Sequence, residues 1–261
     1  MSNNFEYKIC IPSYDREILI RNKTLNLLES YNIPSNKIFI FVANKSQKEK
    51  YIKELPKYYE ENIIIGKKGL YKQRNFISNY FQENDYLIQM DDDIRNINSL
   101  ENYNKQNRKE NKLVKLQDFE LFIEKAYNDL VKNKSFIWGL YPINNAYFMF
   151  PRMTTDLRFL VGPCFGIINR KNKKLQLTIE EKEDVQRTLQ YYTLDNIVLR
   201  YNNITIDTTY YKTKGGLQSF NRNRKEESLK SAIYLNKKYP DLTKIKTTKK
   251  SGITEIVLLK K

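Results

Sequence analysis

The chain has 261 residues and a formal net charge of +16, with 40% hydrophobic and 29% charged residues. This composition is that of a folded domain, and no apolar run approaches the roughly 20 residues that span a bilayer. The chain contains no histidine, so a general base or metal ligand has to come from another residue type, above all a carboxylate.

The first ninety residues alternate between apolar runs and amphipathic stretches, which is typical of βα units. Four strands are predicted, each followed by a polar turn, in YKICIPSY, KIFIFVAN, NIIIGKKG and DYLIQM. Helices are predicted between them in REILIRNKTLNLLESY, QKEKYIKEL and LYKQRNFISNYFQ. Ligands bind at the carboxyl ends of strands in open α/β sheets, so the four turns are candidate binding segments.

The second part of the chain has a different pattern. Residues 98–114 are polar and predict a surface loop, and residues 114–133 predict an amphipathic helix. Short strands are then predicted in FIWGLY, AYFMF, RFLVG and CFGIIN. A helix in EEKEDVQRTLQYY, a strand in ITIDTTYY, a helix over residues 226–239 and a strand in GITEIVLL complete the chain. No linker or repeat divides the chain, so a single α/β domain with a mixed sheet flanked by helices is predicted.

Three adjacent aspartates, Asp91 to Asp93, end the fourth predicted strand. Like charges repel one another, so a triplet at the end of a buried strand needs an explanation. Asp91 and Asp93 can point to the same side of the turn, and hard cations such as Mn²⁺ and Mg²⁺ take oxygen ligands. The pattern favours a divalent metal site, with a solvated acidic turn as the alternative.

Three further segments carry charge. The glycine turn at residues 66–69 opens the helix that contains Arg74, and it suits either an anion or a structural turn with exposed lysines. The acidic run at 180–184 suits either a carboxylate base or a favourable helix N-terminus. Residues 212–250 are strongly basic and contain interspersed aromatics, which suits a nucleic-acid backbone or a solvated helix.

Five segments in this order and spacing resemble the viral and TET/JBP-associated glycosyltransferases: ICIPSYDR, GLYKQRNFI, YLIQMDDDI, EKEDVQRTLQYY and YYKTKGGLQ. The resemblance implies a GT-A fold, the Rossmann-like fold of nucleotide-diphospho-sugar transferases. It implies one domain over residues 1–261, with a nucleotide-sugar half at 1–97 and an acceptor half at 115–261 that ends in the basic segment. The donor would be UDP-glucose, or another UDP-sugar, bound with Mn²⁺ or Mg²⁺.

The resemblance also implies an acceptor and a location. The acceptor would be double-stranded DNA that carries a hydroxymethylated, or already glucosylated, pyrimidine. The protein would act without a membrane partner in the cytoplasm of a virus-infected host cell. Many GT-A enzymes complete their metal shell with a C-terminal histidine, which this chain lacks. Water, another carboxylate or the diphosphate alone would have to complete the shell here.

Site residues follow by position from the matching segments. Asp93 would be the main metal ligand with Asp91 beside it, and Asp184 would be the catalytic base, with Glu183 as second choice. The nucleotide-sugar site would be formed by Pro12, Ser13, Tyr14, Arg16, Lys68, Gly69, Arg74, Asp91 and Asp92. The acceptor DNA would be contacted by Gly215, Gly216, Arg222, Arg224 and Lys225.

The sequence thus predicts an inverting glycosyltransferase that acts on DNA. Three alternatives stay open: a GT-A enzyme with a protein, glycan or lipid acceptor, a sugar nucleotidyltransferase, and a basic nucleic-acid-binding module without catalysis. Release of UDP from a UDP-sugar separates the enzymes from the binding module, and release of pyrophosphate from UTP indicates the nucleotidyltransferase.

Overall fold

The computed structural model describes residues 6–208, 216, 223–246 and 254–259. The first half of the chain forms β1 (Lys8–Pro12), α1 (Glu17–Ile20), α2 (Asn26–Ser30), β2 (Ile38–Val42), α3 (Lys45–Glu54), β3 (Ile63–Ile65), α4 (Leu70–Tyr80) and β4 (Tyr86–Met90). A π-helical turn at Arg21–Leu25 joins α1 to α2, so the predicted helix over residues 16–31 is present but irregular. The four predicted βα strands are confirmed.

The second half adds strands and the three longest helices. It forms β5 (Ile94–Glu101), β6 (Lys112–Lys115), α5 (Phe119–Asn133), β7 (Ile137–Tyr141), β8 (Met153–Thr154), β9 (Cys164–Ile168), α6 (Glu183–Asp195), β10 (Leu199–Thr208), α7 (Arg224–Lys238), β11 (Thr243–Lys246) and β12 (Glu255–Leu258). None of the described helices is both long and apolar enough to cross a membrane.

The main sheet is mixed, and its strand order is β3-β2-β1-β4-β9-β7-β10-β5-β6, with β8 paired to β10. The strands β1 to β4 are parallel to one another, as a series of βα units requires. The strand β9 runs antiparallel to both β4 and β7, and β10 runs parallel to β7. The second half of the chain therefore extends the same sheet, and β11 and β12 form a separate antiparallel pair.

Helices cover both faces of the sheet, which explains why its central strands are apolar throughout. Successive side chains of a strand point to opposite faces. Ile9 and Ile11 of β1 therefore pack with residues of α2 and α5, among them Leu28 and Phe122. Cys10, between them, packs on the other face with residues of α4 and α6, including Ile77 and Tyr191.

Three predictions from local pattern were wrong. The segment 98–114, predicted as a loop, instead contains the end of β5 and most of β6, which pair antiparallel at the sheet edge. No residue of β5 within this segment is fully buried, so its composition resembles that of a loop. AYFMF forms a single 3₁₀ turn at Ala146–Phe148, capped by the side chain of Asn145. RFLVG is irregular, and Leu160 fits instead against Gly139 of β7.

The late elements largely match their predictions. Helix α7 begins two residues before the predicted start, because the Asn223 side chain accepts a hydrogen bond from the Glu226 amide. Strand β10 is longer than predicted at its N-terminal end, and its predicted last residues, 209–211, lie outside the described residues. The structure thus brings the ends of β1, β4 and β10 and the start of α6 to one side of the sheet.

Candidate active site

A cleft of about 960 Å³ opens at the carboxyl ends of β1 and β4. Its opposite wall is formed by the start of α6 and by residues 254–258, which include β12. Most of the residues predicted for the donor and metal sites line this cleft: Pro12, Ser13, Tyr14, Arg16, Gly69, Arg74, Asp91, Asp92 and Asp93. Both candidate bases, Glu183 and Asp184, line the same cleft.

The turn that carries the aspartates is held at both ends by backbone contacts. The Asp91 amide donates to the Pro163 carbonyl at 2.8 Å, which links the turn to the residues before β9. The buried Thr24 hydroxyl donates to the Asp91 carbonyl at 2.7 Å and accepts from the Ile94 amide at 3.0 Å. The carboxylates therefore project from a fixed backbone.

The middle aspartate, Asp92, is buried and fully engaged by the protein. Its Oδ2 accepts a hydrogen bond from the Ser13 hydroxyl at 2.6 Å, and its Oδ1 lies 2.9 Å from Arg16 Nη1. Ser13 also shares a 2.6 Å hydrogen bond with the Tyr51 hydroxyl. Burial raises the pKa of Asp92, and the Arg16 guanidinium opposes that shift. Asp92 therefore ties β4 to the end of β1, and each of its oxygens has a partner within the protein.

The outer aspartates line the cleft, and each has a partner that the sequence did not reveal. Asp91 pairs with Arg74 at 3.0 Å, whereas Asp93 accepts a 2.5 Å hydrogen bond from Thr208 and lies 3.6 Å from Arg16. The positive neighbours of the triplet in space, Arg74 and Arg16, thus come from other segments of the chain. Burial, and the other carboxylates, raise the pKa of Asp91 to about 7 against the opposing effect of Arg74.

The carboxylate oxygens of Asp91 and Asp93 suit a divalent cation whose remaining ligands are water and substrate phosphates. In the described part of the chain, no three acidic, cysteine or histidine side chains are grouped as ligands. Asp91 and Asp93 are two oxygen donors at one cleft. Mg²⁺ commonly takes one or two protein carboxylates and completes its octahedron with water and substrate phosphates, so the pair fits such an ion.

Glu183 belongs to a buried ion network and does not face substrate as a free base. Its Oε2 accepts a hydrogen bond from Arg187 Nη1 at 2.6 Å, and its Oε1 lies 3.2 Å from Arg74 Nε. All three side chains are about 95% buried or more, and the Arg187 guanidinium stacks 3.6 Å from the centre of the Phe165 ring. The two arginines are balanced by Glu183 together with Asp91, so removal of Glu183 leaves buried positive charge.

Asp184 is the carboxylate with the properties of a base. It is partly exposed, and its Oδ1 accepts a 2.9 Å hydrogen bond from the amide of Val185. Burial, and next the charge of Glu183, raise its pKa to about 6. Gly162 packs closely against both carboxylates, because a Cβ there would lie 3.2 Å from Glu183 Oε1 and 3.6 Å from Asp184 Oδ2.

The N-terminus of α4, for which an anion site and a structural turn were both open, contacts a carboxylate of the chain itself. The Leu70 amide donates to Glu180 Oε1, and the Lys67 amide donates to Gln73 Oε1 at 2.5 Å. Gly69 has φ 100°, a conformation that a residue with a side chain rarely adopts. Lys68 is not part of the cleft lining, and its Nζ lies 5.4 Å from the centre of the Tyr14 ring, so its contact with the nucleotide sugar stays a prediction.

The predicted acceptor residues are only partly brought to the cleft. The Gly216 amide donates to the Tyr14 carbonyl at 2.9 Å, and a Cβ there would approach Arg16 to 2.8 Å. Arg224 lines the cleft but pairs with Glu181 at 2.7 Å, so its charge is already compensated. Lys225 is exposed on α7 and is not part of the lining. Gly215 and Arg222 lie outside the described residues.

Several side-chain pairings at the site were not predicted from sequence. Glu183 and Arg187 are four residues apart on one helix, so their spacing alone could have indicated an ion pair. Thr208 reaches Asp93 across 115 positions of sequence, and Glu180 reaches Leu70 across 110, which no local pattern can indicate.

Comparisons with known proteins address the fold. Searches with protein-family profiles and against curated proteins find no match. The crystal structure of S. aureus TarS 1-349 in complex with UDP-GlcNAc matches with a TM-score of 0.57 and 14% identity, over 89% of this chain and 67% of that chain. The same fragment in complex with UDP matches with a TM-score of 0.51 and 14% identity, over 90% and 72%. The chain has the GT-A fold, with a mixed central sheet flanked by helices.

Proposed function

We propose that the protein is a glycosyltransferase that takes its sugar from a nucleotide-sugar donor. The observation that carries this proposal is the position of Asp184, whose pKa is raised to about 6, in the cleft that also holds Asp91 and Asp93. A base and an oxygen-ligand pair in one cleft are the groups that sugar transfer from a diphosphate requires. The shared fold supports the proposal, since TarS 1-349 was crystallised with UDP-GlcNAc and with UDP.

We propose that the donor binds at the ends of β1 and β4. Asp91 and Asp93 would hold a Mn²⁺ or Mg²⁺ ion there, and Arg16 supplies further positive charge beside Asp93. Such an ion would supply positive charge to offset the negative charge that develops on the departing nucleotide diphosphate. UDP-glucose is the donor that the sequence resemblance implies, and UDP-GlcNAc is a second candidate because it occupies the related fold.

Asp184 takes the proton of the acceptor hydroxyl. We assign this role to Asp184 and not to Glu183, because both oxygens of Glu183 lie against buried guanidinium groups. Attack of the acceptor oxygen on the anomeric carbon, on the face opposite the leaving diphosphate, would invert its configuration. Aspartate with a pKa of about 6 is largely ionised at neutral pH and is still basic enough to accept the proton.

The acceptor that we propose is double-stranded DNA with a hydroxymethylated or glucosylated hydroxymethylated pyrimidine. The net charge of +16 and the basic residues 212–250 support a polyanionic acceptor. Such an enzyme would act on viral DNA in the cytoplasm of an infected cell. A protein, glycan or lipid acceptor and the nucleotidyltransferase reaction are the competing functions.

A turnover assay tests the proposal. The purified protein is incubated with UDP-glucose or UDP-GlcNAc, with Mn²⁺ or Mg²⁺, and with duplex DNA that contains hydroxymethylcytosine or unmodified cytosine. We expect UDP release and a glycosylated nucleoside by mass spectrometry only with the modified duplex. Pyrophosphate release from UTP would support the nucleotidyltransferase. Absence of both products with every donor would contradict catalysis.

A further inference from the structure

A second pair of arginines lines the cleft away from the aspartates. Arg158 lies in the loop that leads to β9, and Arg200 lies near the start of β10. Thr208, which donates to Asp93, is the last residue of the same ten-residue strand. Since both ends of β10 contribute to the lining, the cleft extends along this strand beyond the proposed donor site.

Arg200 is a buried cation without a carboxylate partner among the described residues. It is 7% exposed, its Nε donates to Asn202 at 2.8 Å, and its Nη1 donates to the Phe159 carbonyl at 3.4 Å. The neighbouring Arg158 already pairs with Asp156 at 2.8 Å. Burial, and next the repulsion of Arg158, lower the pKa of Arg200 to about 10, so it remains charged at neutral pH.

Asp156 and the Tyr141 ring favour the charge of Arg200, but neither forms an ion pair with it. Burial of a cation without a counterion is strongly unfavourable, and buried cations are normally paired. The charge nevertheless faces a cleft that substrate can enter, so a bound anion can supply the missing partner. Arginine suits this task because its planar guanidinium can donate two hydrogen bonds to one phosphate group.

The surroundings of the pair indicate which kind of anion fits. Leu157, which precedes Arg158, packs with Ile256 and Leu258 of β12, and all three side chains line the cleft. A phosphate site beside an apolar surface matches a nucleotide, whose base or sugar can cover the apolar side chains while its phosphate meets the arginines. An inorganic anion would leave the apolar part of the cleft uncovered.

We infer that Arg158 and Arg200 bind a phosphate ester of the acceptor, at the end of the cleft opposite the nucleotide-sugar donor. The assignment of this phosphate to the acceptor rests on the proposed function, to which the inference adds a specific binding site. In a DNA acceptor, the phosphate would belong to the nucleotide that leaves the base stack to reach the cleft.

The test measures binding of DNA without any sugar donor. A fluorescein-labelled 12-mer, as duplex and as single strand, is titrated by anisotropy at several salt concentrations. Wild type is compared with Arg200→Gln, Arg158→Gln and Arg95→Gln. Arg95 is the matched control, because it is an exposed arginine outside the cleft lining and its removal changes the net charge equally.

Loss of one phosphate contact lowers the slope of log K against log salt by about 0.9 for duplex and about 0.7 for single strand. We expect this decrease in Arg200→Gln and Arg158→Gln, and no decrease in Arg95→Gln. Arg158 lies in a loop and is partly exposed, so its variant keeps the test decisive if Arg200→Gln fails to fold. Arg200→Lys keeps the charge and is expected to keep the wild-type slope.

Two controls separate the outcomes. Titration with dCMP distinguishes a phosphate of DNA from that of a small molecule. If the two arginines are needed to bind dCMP but neither oligonucleotide, the site exists and its ligand is a small phosphate ester. The inference is overturned if both cleft variants retain the wild-type slope and dCMP affinity, or if they lose affinity for UDP instead. The binding titrations contain no sugar donor. Failure of the turnover assay would therefore contradict the proposed function without changing the result of these titrations.

Discussion

Replacement of Asp184 by asparagine separates catalysis from folding at the candidate site. Asparagine keeps the size of the side chain and can still accept the hydrogen bond from Val185, but it cannot take a proton. A positioned general base contributes about 10²–10⁴-fold to the rate, so we expect kcat to fall by about that factor while donor affinity is retained. With wild type, kcat should fall about tenfold per pH unit below the Asp184 pKa of about 6, and this dependence should be absent in Asp184→Asn.

The same substitution is expected to stabilise the fold. The pKa of Asp184 rises from 3.8 to about 6 on folding, which corresponds to at most about 3 kcal/mol of lost stability. Because the folded state holds the proton more tightly, this penalty is absent below pH 3.8 and is complete above about pH 6. Asp184→Asn should therefore melt higher than wild type at pH 7.5, by on the order of 6–12 °C, and the difference should shrink towards pH 4.

Glu183→Gln is the matched control, because it makes the same chemical change one residue away. It leaves Arg187 and Arg74 without a buried counterion, and loss of one partner of a buried pair costs about 3–5 kcal/mol. We expect its melting temperature to fall, in contrast to Asp184→Asn. The assignment of the base is refuted if Asp184→Asn retains both its rate and its pH dependence while Glu183→Gln loses them.

The remaining predictions concern the metal and the acceptor. Asp93→Ala should abolish turnover without unfolding the protein, and excess EDTA should reduce the wild-type rate; full activity in either case would exclude the metal role. Reversal of the charges of Arg222, Arg224 and Lys225 together should weaken DNA binding and reduce its salt dependence. If the triple variant glycosylates DNA normally, DNA is not the acceptor. Of the three changes, Arg224→Glu should also lower the melting temperature, because it places a negative charge beside Glu181.

The sheet was predictable where its strands are buried on both faces. The first four strands are short apolar runs between turns, and their parallel βα arrangement follows from the alternation with helices. Strand β5 was not predictable, because it is defined by its pairing with β10 more than 100 residues later. A half-buried polar strand and a polar loop have similar composition, and only the partner strand distinguishes them.

The candidate site was predictable to the extent that strand ends converge. Asp91, Asp93 and Arg74 line one cleft, as the position of strand ends in α/β sheets led us to expect. The charge balance was not predictable, since it depends on partners from remote segments such as Arg16 with Asp92. The buried Arg200 of β10 also gave no local signal, because an isolated Arg in a strand does not reveal what it faces.

Calorimetric titration of UDP into the protein, with and without Mn²⁺, tests the central claim most directly. If the cleft at β1 and β4 holds a nucleotide-sugar donor, UDP should bind to one site per chain, and Mn²⁺ should strengthen this binding in wild type. Asp93→Ala should lose the effect of Mn²⁺ and keep its fold. Absence of UDP binding under both conditions, with the protein folded, would contradict the account of this protein as a nucleotide-sugar glycosyltransferase.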